Sequence, residues 1–210
     1  MSVLVPFRAY PSGMTSSRLE AFSDAVIAIL MTIMVLELRA PDEASLDVLR
    51  HDVLGVFLAY ILSFVFLGIY WNNHHHMLAV TERINGKILW ANLHLLFWLS
   101  LFPFMTAWIG KTHAAELPTA LYGAVLLLAA IAYYILKTAI VSEQGPDSRI
   151  AKALGNDFKG KISPVLYAVA IPLAYVQSWI SIGIYILVAL MWLIPDPRIE
   201  STLGFESDRG

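Results

Sequence analysis

The chain has 210 residues, of which 58% are hydrophobic and 14% charged, with a mean hydropathy of +0.67. A soluble fold of that size cannot hide so much apolar surface in one core, so composition alone specifies an integral membrane protein. The net charge of −2 sits in short clusters between long apolar runs, which excludes a basic face for nucleic acid, and the lack of cysteine excludes disulfide and thiolate chemistry.

The opening residues, MSVLVPFRAYPSG, lack the apolar core of about 7–15 residues that a signal peptide needs. Met14 is an alternative start, since MTSSRLEAFSDAV reads as a cleaner beginning. Six membrane spans follow. The first covers about Ala21–Leu38, the second Val53–Asn73, the third Ile88–Ile109 and the fourth Leu117–Val141, with Lys137 close enough to its end to snorkel. Ile162–Pro195 is too long for one span, because as a single helix it rises about 51 Å against a hydrocarbon core of about 30 Å. It is therefore divided at Gln177-Ser178 into two short spans, with a kink or a late start expected at Pro164 and Pro172. Three segments result: a cytoplasmic N-terminal stretch 1–17, a membrane domain 18–195 and a cytoplasmic tail 196–210. No internal repeat, low-complexity tract or soluble domain is visible, and Ser142–Lys161 reads as a solvated loop.

An even number of spans puts both termini on one side, and charge selects the side. Cytoplasmic termini assign Arg8, Arg18, Arg83, Lys87, Lys137, Arg149, Lys152, Lys159, Lys161, Arg198 and Arg209 to the inside. Only Arg39, Arg50 and Lys111 then lie outside, which satisfies the positive-inside rule in a cell-membrane protein. The outer loop after the first span holds Asp42, Glu43, Asp47 and Asp52. An acidic mouth of that kind concentrates cations.

The first span carries the chemistry. Its uninterrupted apolar part, Ala25 to Leu36 with only Thr32 inside, is shorter than the roughly 20 residues a bilayer asks for. Its polar ends must therefore face protein or water, which makes it the candidate lining of a conduction path. Ile29, Ile33 and Leu36 fall on one helical stripe that Val26 and Phe22 extend inward, with Thr32 beside it. Periodicity alone favours ordinary packing of this stripe against neighbouring helices. Arg18, Ser23 and Asp24 at the inner end need partners at membrane depth. The end of the second span, YWNNHHHML, offers them in His74 and His75. Three successive histidines point about 100° apart, so His74, His75 and His76 do not share one metal, and no metal site is expected. Asn92 of the third span lies near the same depth and can join the cluster, while Pro103 kinks that helix.

Together, R-x-x-x-F-S-D running into AVIAILMTIMVLEL, W-N-N-H-H on the second span and N-L…P-F on the third resemble bacterial relatives of the endolysosomal potassium channel called transmembrane protein 175. The resemblance covers about Arg18 to Pro195. It implies an all-α channel of six transmembrane helices per chain, the first helix lining the central pore of a homotetramer, without a TVGYG-type filter. It further implies that Ile29 forms the tightest ring, that Ile33 and Leu36 add apolar layers, and that Thr32 supplies a hydroxyl beside the constriction. Arg18, Phe22, Ser23, Asp24, His74, His75 and Asn92 become the structural network that holds the pore helix. Ala28 stands where some relatives carry a hydroxyl, which implies a drier and less selective pore. His76 and His94 have no place in the pattern.

The expected function is a potassium-permeable cation channel, gated by an apolar constriction and modestly selective for potassium over sodium. No cofactor is expected beyond permeant potassium ions; the partners are monovalent cations, the lipid bilayer and three further copies of the chain. One rival is a proton-coupled secondary transporter, or proton pathway, using Asp24 and His75. The absence of inverted repeats and paired broken helices counts against it. A membrane enzyme built on the histidines lacks an H-E-x-x-H arrangement, so no enzymatic role is expected.

Overall fold

The computed structural model describes residues 15–41, 43–145, 148, 151 and 157–193, and the described residues form no secondary structure other than helices and turns. Helix α1, Ser16–Ile33, begins where the Thr15 hydroxyl accepts from the Arg18 backbone N–H. It tightens into a 3₁₀ segment, Met34–Glu37. The short α2, Leu46–Val48, leads through a π turn, Leu49–Val53, into α3, Leu54–Ala79. Helix α4, Gly86–Ser100, is capped by the Asn85 side chain accepting from the Ile88 N–H, and α5 is Phe102–Lys111. Helices α6, Glu116–Gln144, and α7, Phe158–Leu193, follow.

Five stretches are long and apolar enough to cross a membrane: Ser16–Glu37, Leu54–Ala79, Gly86–Lys111, Glu116–Gln144 and Phe158–Leu193. The fifth is two helices. Gln177 leaves the helical region with φ −159° and ψ 106°, at the position where the length argument divides the chain. Ser181 Oγ donates to Ala170 O at 2.7 Å, and Trp192 Nε1 donates to Ser163 Oγ at 2.9 Å. In one continuous helix 163 and 192 stand about 43 Å apart, so limbs 158–176 and 178–193 must fold back on each other as a hairpin. Six spans result. Pro164 and Pro172 lie inside the first limb, which starts before either, so the expected late start does not occur. The third span breaks between Ser100 and Phe102, with Pro103 in the first turn of α5, where its missing N–H costs no helical bond. The second span runs on to Ala79, past the expected end at Asn73, and carries all three histidines inside the helix.

Packing is close because small residues allow it. A side chain at Gly110 would strike the Val56 backbone, so glycine is what lets α5 approach α3. At Gly123 an added Cβ would meet the Tyr185 hydroxyl, which instead donates to Thr119 O at 3.0 Å and seats α7 on α6. Ser63 Oγ lies 2.9 Å from Tyr122 Oη and 2.6 Å from Thr106 Oγ1, a buried polar knot joining α3, α5 and α6. Around it Phe66, Phe102, Tyr122 and Tyr185 meet edge-on or tilted. Helix α1 lies at the rim of this bundle, against α3, α4 and α5.

Candidate functional site

Helix α1 has two apolar faces with opposite surroundings. Leu19, Ser23, Ile27, Leu30 and Met34, spaced three or four apart, are buried against the rest of the chain, with Ile27 and Met34 at 0% exposure. The opposite face carries Phe22, Ile29, Ile33 and Leu36, of which Ile29 is 54% and Leu36 73% exposed. The stripe picked out by periodicity is therefore largely uncovered among the described residues, with only Val26 half-buried against the core. Thr32 shares the exposed side, and its hydroxyl lies 3.0 Å from both Ala28 O and Ile29 O. Its proton is held by the helix backbone while its lone pairs face outward. Phe22 belongs to this outward face rather than to the polar network, because its angular position is that of Ile29, seven residues on.

The polar residues at the N-terminal end of α1 separate into two clusters. In the buried one Ser23 Oγ donates to Leu19 O at 2.9 Å, Asn92 Nδ2 donates to Ser23 Oγ at 2.9 Å, and Asn92 Oδ1 lies 2.7 Å from His74 Nε2. Since that oxygen only accepts, His74 Nε2 carries the proton. All three side chains are fully buried, and the unprotonated His74 Nδ1 has no hydrogen-bond partner among the described residues. A buried polar chain of this kind fixes how α1, α3 and α4 register on one another.

The second cluster is half-exposed and acidic. His75 Nδ1 lies 2.7 Å from Glu20 Oε1, and Trp71 Nε1 donates to Asp24 Oδ1 at 3.1 Å. The Trp71 and His75 rings, one helical turn apart, stack with centroids 6.1 Å apart. Asp24 and His74 thus belong to different clusters, where one shared network was expected. Arg18 joins neither: it is exposed and forms no ion pair among the described residues. Glu20 and Trp71 were missed, although Glu20–Asp24 and Trp71–His75 are both i, i+4 pairs readable in the sequence. His94 has a local role, accepting at Nε2 from Trp98 Nε1 at 2.9 Å one turn along α4.

At the other end of α1, Lys111 Nζ lies 2.9 Å from Glu37 Oε2 and ties the 3₁₀ segment to the end of α5. Glu43 and Asp47 are exposed, and Asp42 lies outside the described residues.

The family model described as endosomal/lysosomal potassium channel TMEM175 matches residues 18–103, from the first turn of α1 to the first turn of α5. A potassium channel from Chryseobacterium sp. (strain P1-3) is 53% identical over 190 residues, covering 90% of this chain and 98% of that relative. The chain belongs to the TMEM175 family. Membership places it among channels rather than enzymes, as a multi-pass membrane protein. The fold agrees with a crystal structure of a lysosomal potassium-selective channel TMEM175 homolog from Chamaesiphon minutus: TM-score 0.69, 26% identity, 85% of this chain and 96% of that one. A vertebrate member, the endosomal/lysosomal proton channel TMEM175 of Gallus gallus, is 27% identical over 97 residues, which is 44% of this chain and 19% of that protein. The matched family region holds both faces of α1 and both polar clusters.

Proposed function

We propose that the chain is a potassium-permeable cation channel in which four copies surround an axis with the exposed face of α1 innermost. The observation that carries this reading is the apolar face Phe22, Ile29, Ile33, Leu36, left largely exposed among the described residues on a helix whose other face is anchored by hydrogen bonds. The potassium channels among its relatives support the ion. A cyclic assembly brings one identical side chain per copy to each level of the axis. Ile29 then forms the narrowest ring, with Ile33 and Leu36 as further apolar layers and the Thr32 hydroxyls beside the constriction.

An apolar ring offers an ion nothing in exchange for its water, so it resists passage by dewetting and by width and gives modest potassium over sodium selectivity. The excess of basic residues supports cytoplasmic termini, and on that reading Glu43 and Asp47 belong to the outer mouth. The function needs no cofactor; permeant potassium ions occupy the path.

Purified protein in a planar bilayer under opposed potassium and sodium gradients tests this. A steady current reversing toward the potassium potential is the expected result. Silence with coupled uptake contradicts it. A proton pathway through Asp24 and His75 is the second reading, favoured by the exposure of His75 and by the proton channels among the vertebrate members. Between Asp24 and Glu37, however, α1 carries no titratable side chain, so this cluster serves one end of the helix only. A reversal potential that follows the pH gradient instead of the potassium gradient selects the proton reading.

A further inference from the structure

Glu20 and Asp24 sit one turn apart on α1 and direct their carboxylates toward His75 of α3. One ligand atom from each, two carboxylate oxygens and an imidazole nitrogen, lies within 4.8 Å of the others. We propose that Glu20, Asp24 and His75 bind a divalent transition-metal ion that staples α1 to α3.

The surroundings are those of a prepared site. The Nδ1 of His75 is aimed at Glu20, and Trp71 both stacks on the imidazole and holds one oxygen of Asp24, leaving the other without a hydrogen bond among the described residues. Groups that orient ligands in this way are the usual outer shell of a metal centre. Both ends are reachable from water, with the side chains of His75 and Glu20 at 44% and 21% exposure. Donor chemistry sets the class of ion. One imidazole with two carboxylates suits Zn²⁺ and its neighbours, whereas Ca²⁺ or Mg²⁺ asks for about six oxygen ligands. In a tetrahedral zinc site, bonds of about 2.0–2.1 Å place ligand atoms roughly 3.3 Å apart. The cluster must close up by about 1.5 Å to reach that spacing, and water completes the fourth position. Binding displaces the proton shared between His75 Nδ1 and Glu20, leaving the imidazole protonated at Nε2.

The site lies away from the proposed pore. Glu20 precedes Ile29 by nine residues, and at about 100° per residue the two point in opposite directions from α1. Metal there acts on the attachment of α1 rather than by plugging a path.

Isothermal titration of the assembled full-length protein with ZnCl₂, together with its melting midpoint, tests the site without any current. Its outcome is therefore independent of the channel reading. One Zn²⁺ per chain and a midpoint that rises with Zn²⁺ are expected, because an ion bound only by the folded state stabilises it. Glu20→Gln and His75→Gln should each weaken binding by more than about tenfold, since loss of an outer-shell partner alone costs about 10–100-fold. Trp71→Phe keeps the ring and removes only the N–H to Asp24. It should weaken binding about tenfold, and it carries the test should either ligand variant fail to fold. Absence of Zn²⁺ binding, or equal binding in these variants and the original chain, overturns the proposal.

Discussion

Ile27 and Ile29 are the same residue, two positions apart on one helix, yet the first is at 0% exposure and the second at 54%. Hydrophobicity does not separate them, because in a membrane a lipid-facing, pore-facing or helix-facing isoleucine is equally welcome. Hydrogen bonding does separate them. The packed face of α1 carries Ser23, whose hydroxyl enters the buried chain to Asn92 and His74, and from Phe22 to Leu36 the exposed face carries only Thr32, bonded to its own backbone. In a helix that is apolar all round, the small polar residue marks the face that must meet protein.

The largest expected effect is on the packed face. Asn92→Leu leaves the His74 Nε2 proton without an acceptor and Ser23 without a donor, at about 1–3 kcal/mol for each buried group left unpaired. The melting midpoint in detergent should fall strongly, with loss of the assembled species on sizing. Ile27→Ala empties a fully enclosed site and should cost about 2–5 kcal/mol by the same measurement. Ile29→Ala removes the same atoms from the exposed face and should leave the midpoint of the single chain's fold nearly unchanged. Equal losses at 27 and 29 would erase the contrast between the faces.

Much of this was legible in the sequence. The six spans followed from length arithmetic, including the hairpin divided at Gln177, because a 34-residue apolar run cannot be one helix in a bilayer. The stripe Ile29, Ile33, Leu36 followed from helical spacing. Which stripe faced inward did not, since the packed set Leu19, Ile27, Leu30, Met34 is as apolar and as periodic. The polar network was legible in membership and not in wiring. Ser23, Asp24, His74, His75 and Asn92 all lie at one level, but adjacent histidines point about 100° apart, which sends His74 to Asn92 and His75 to Glu20. Arg18 is expected there on its charge and on the R-x-x-x-F-S-D resemblance, and its exposure relieves it of any need for a partner within the chain.

Asp24→Ala is a smaller test. The carboxylate is half-buried and bonded to Trp71 Nε1, so its loss should cost about 1 kcal/mol and leave the Ser23–Asn92–His74 chain intact. Collapse of the assembly on this change alone would join the two clusters into one network after all. The smallest effect belongs to the mouth beyond the exposed face. Neutralising Glu43 and Asp47 should lower conductance at low salt and barely at high salt, because the Debye length shrinks from about 30 Å at 0.01 M to about 3 Å at 1 M. The same loss at both salts would place these residues away from the ion path.

Cysteine accessibility during conduction tests most directly whether the exposed face of α1 lines the pore, since the chain has no cysteine of its own to react. With Ile29→Cys, Leu36→Cys and Leu30→Cys recorded separately in a potassium gradient, a water-soluble thiol reagent should reduce current at 29 and 36. It should leave current unchanged at 30, which is buried against the chain. Reaction at 30 with positions 29 and 36 inert would put the opposite face of the helix in the pore, and the constriction assigned to Ile29 would be wrong.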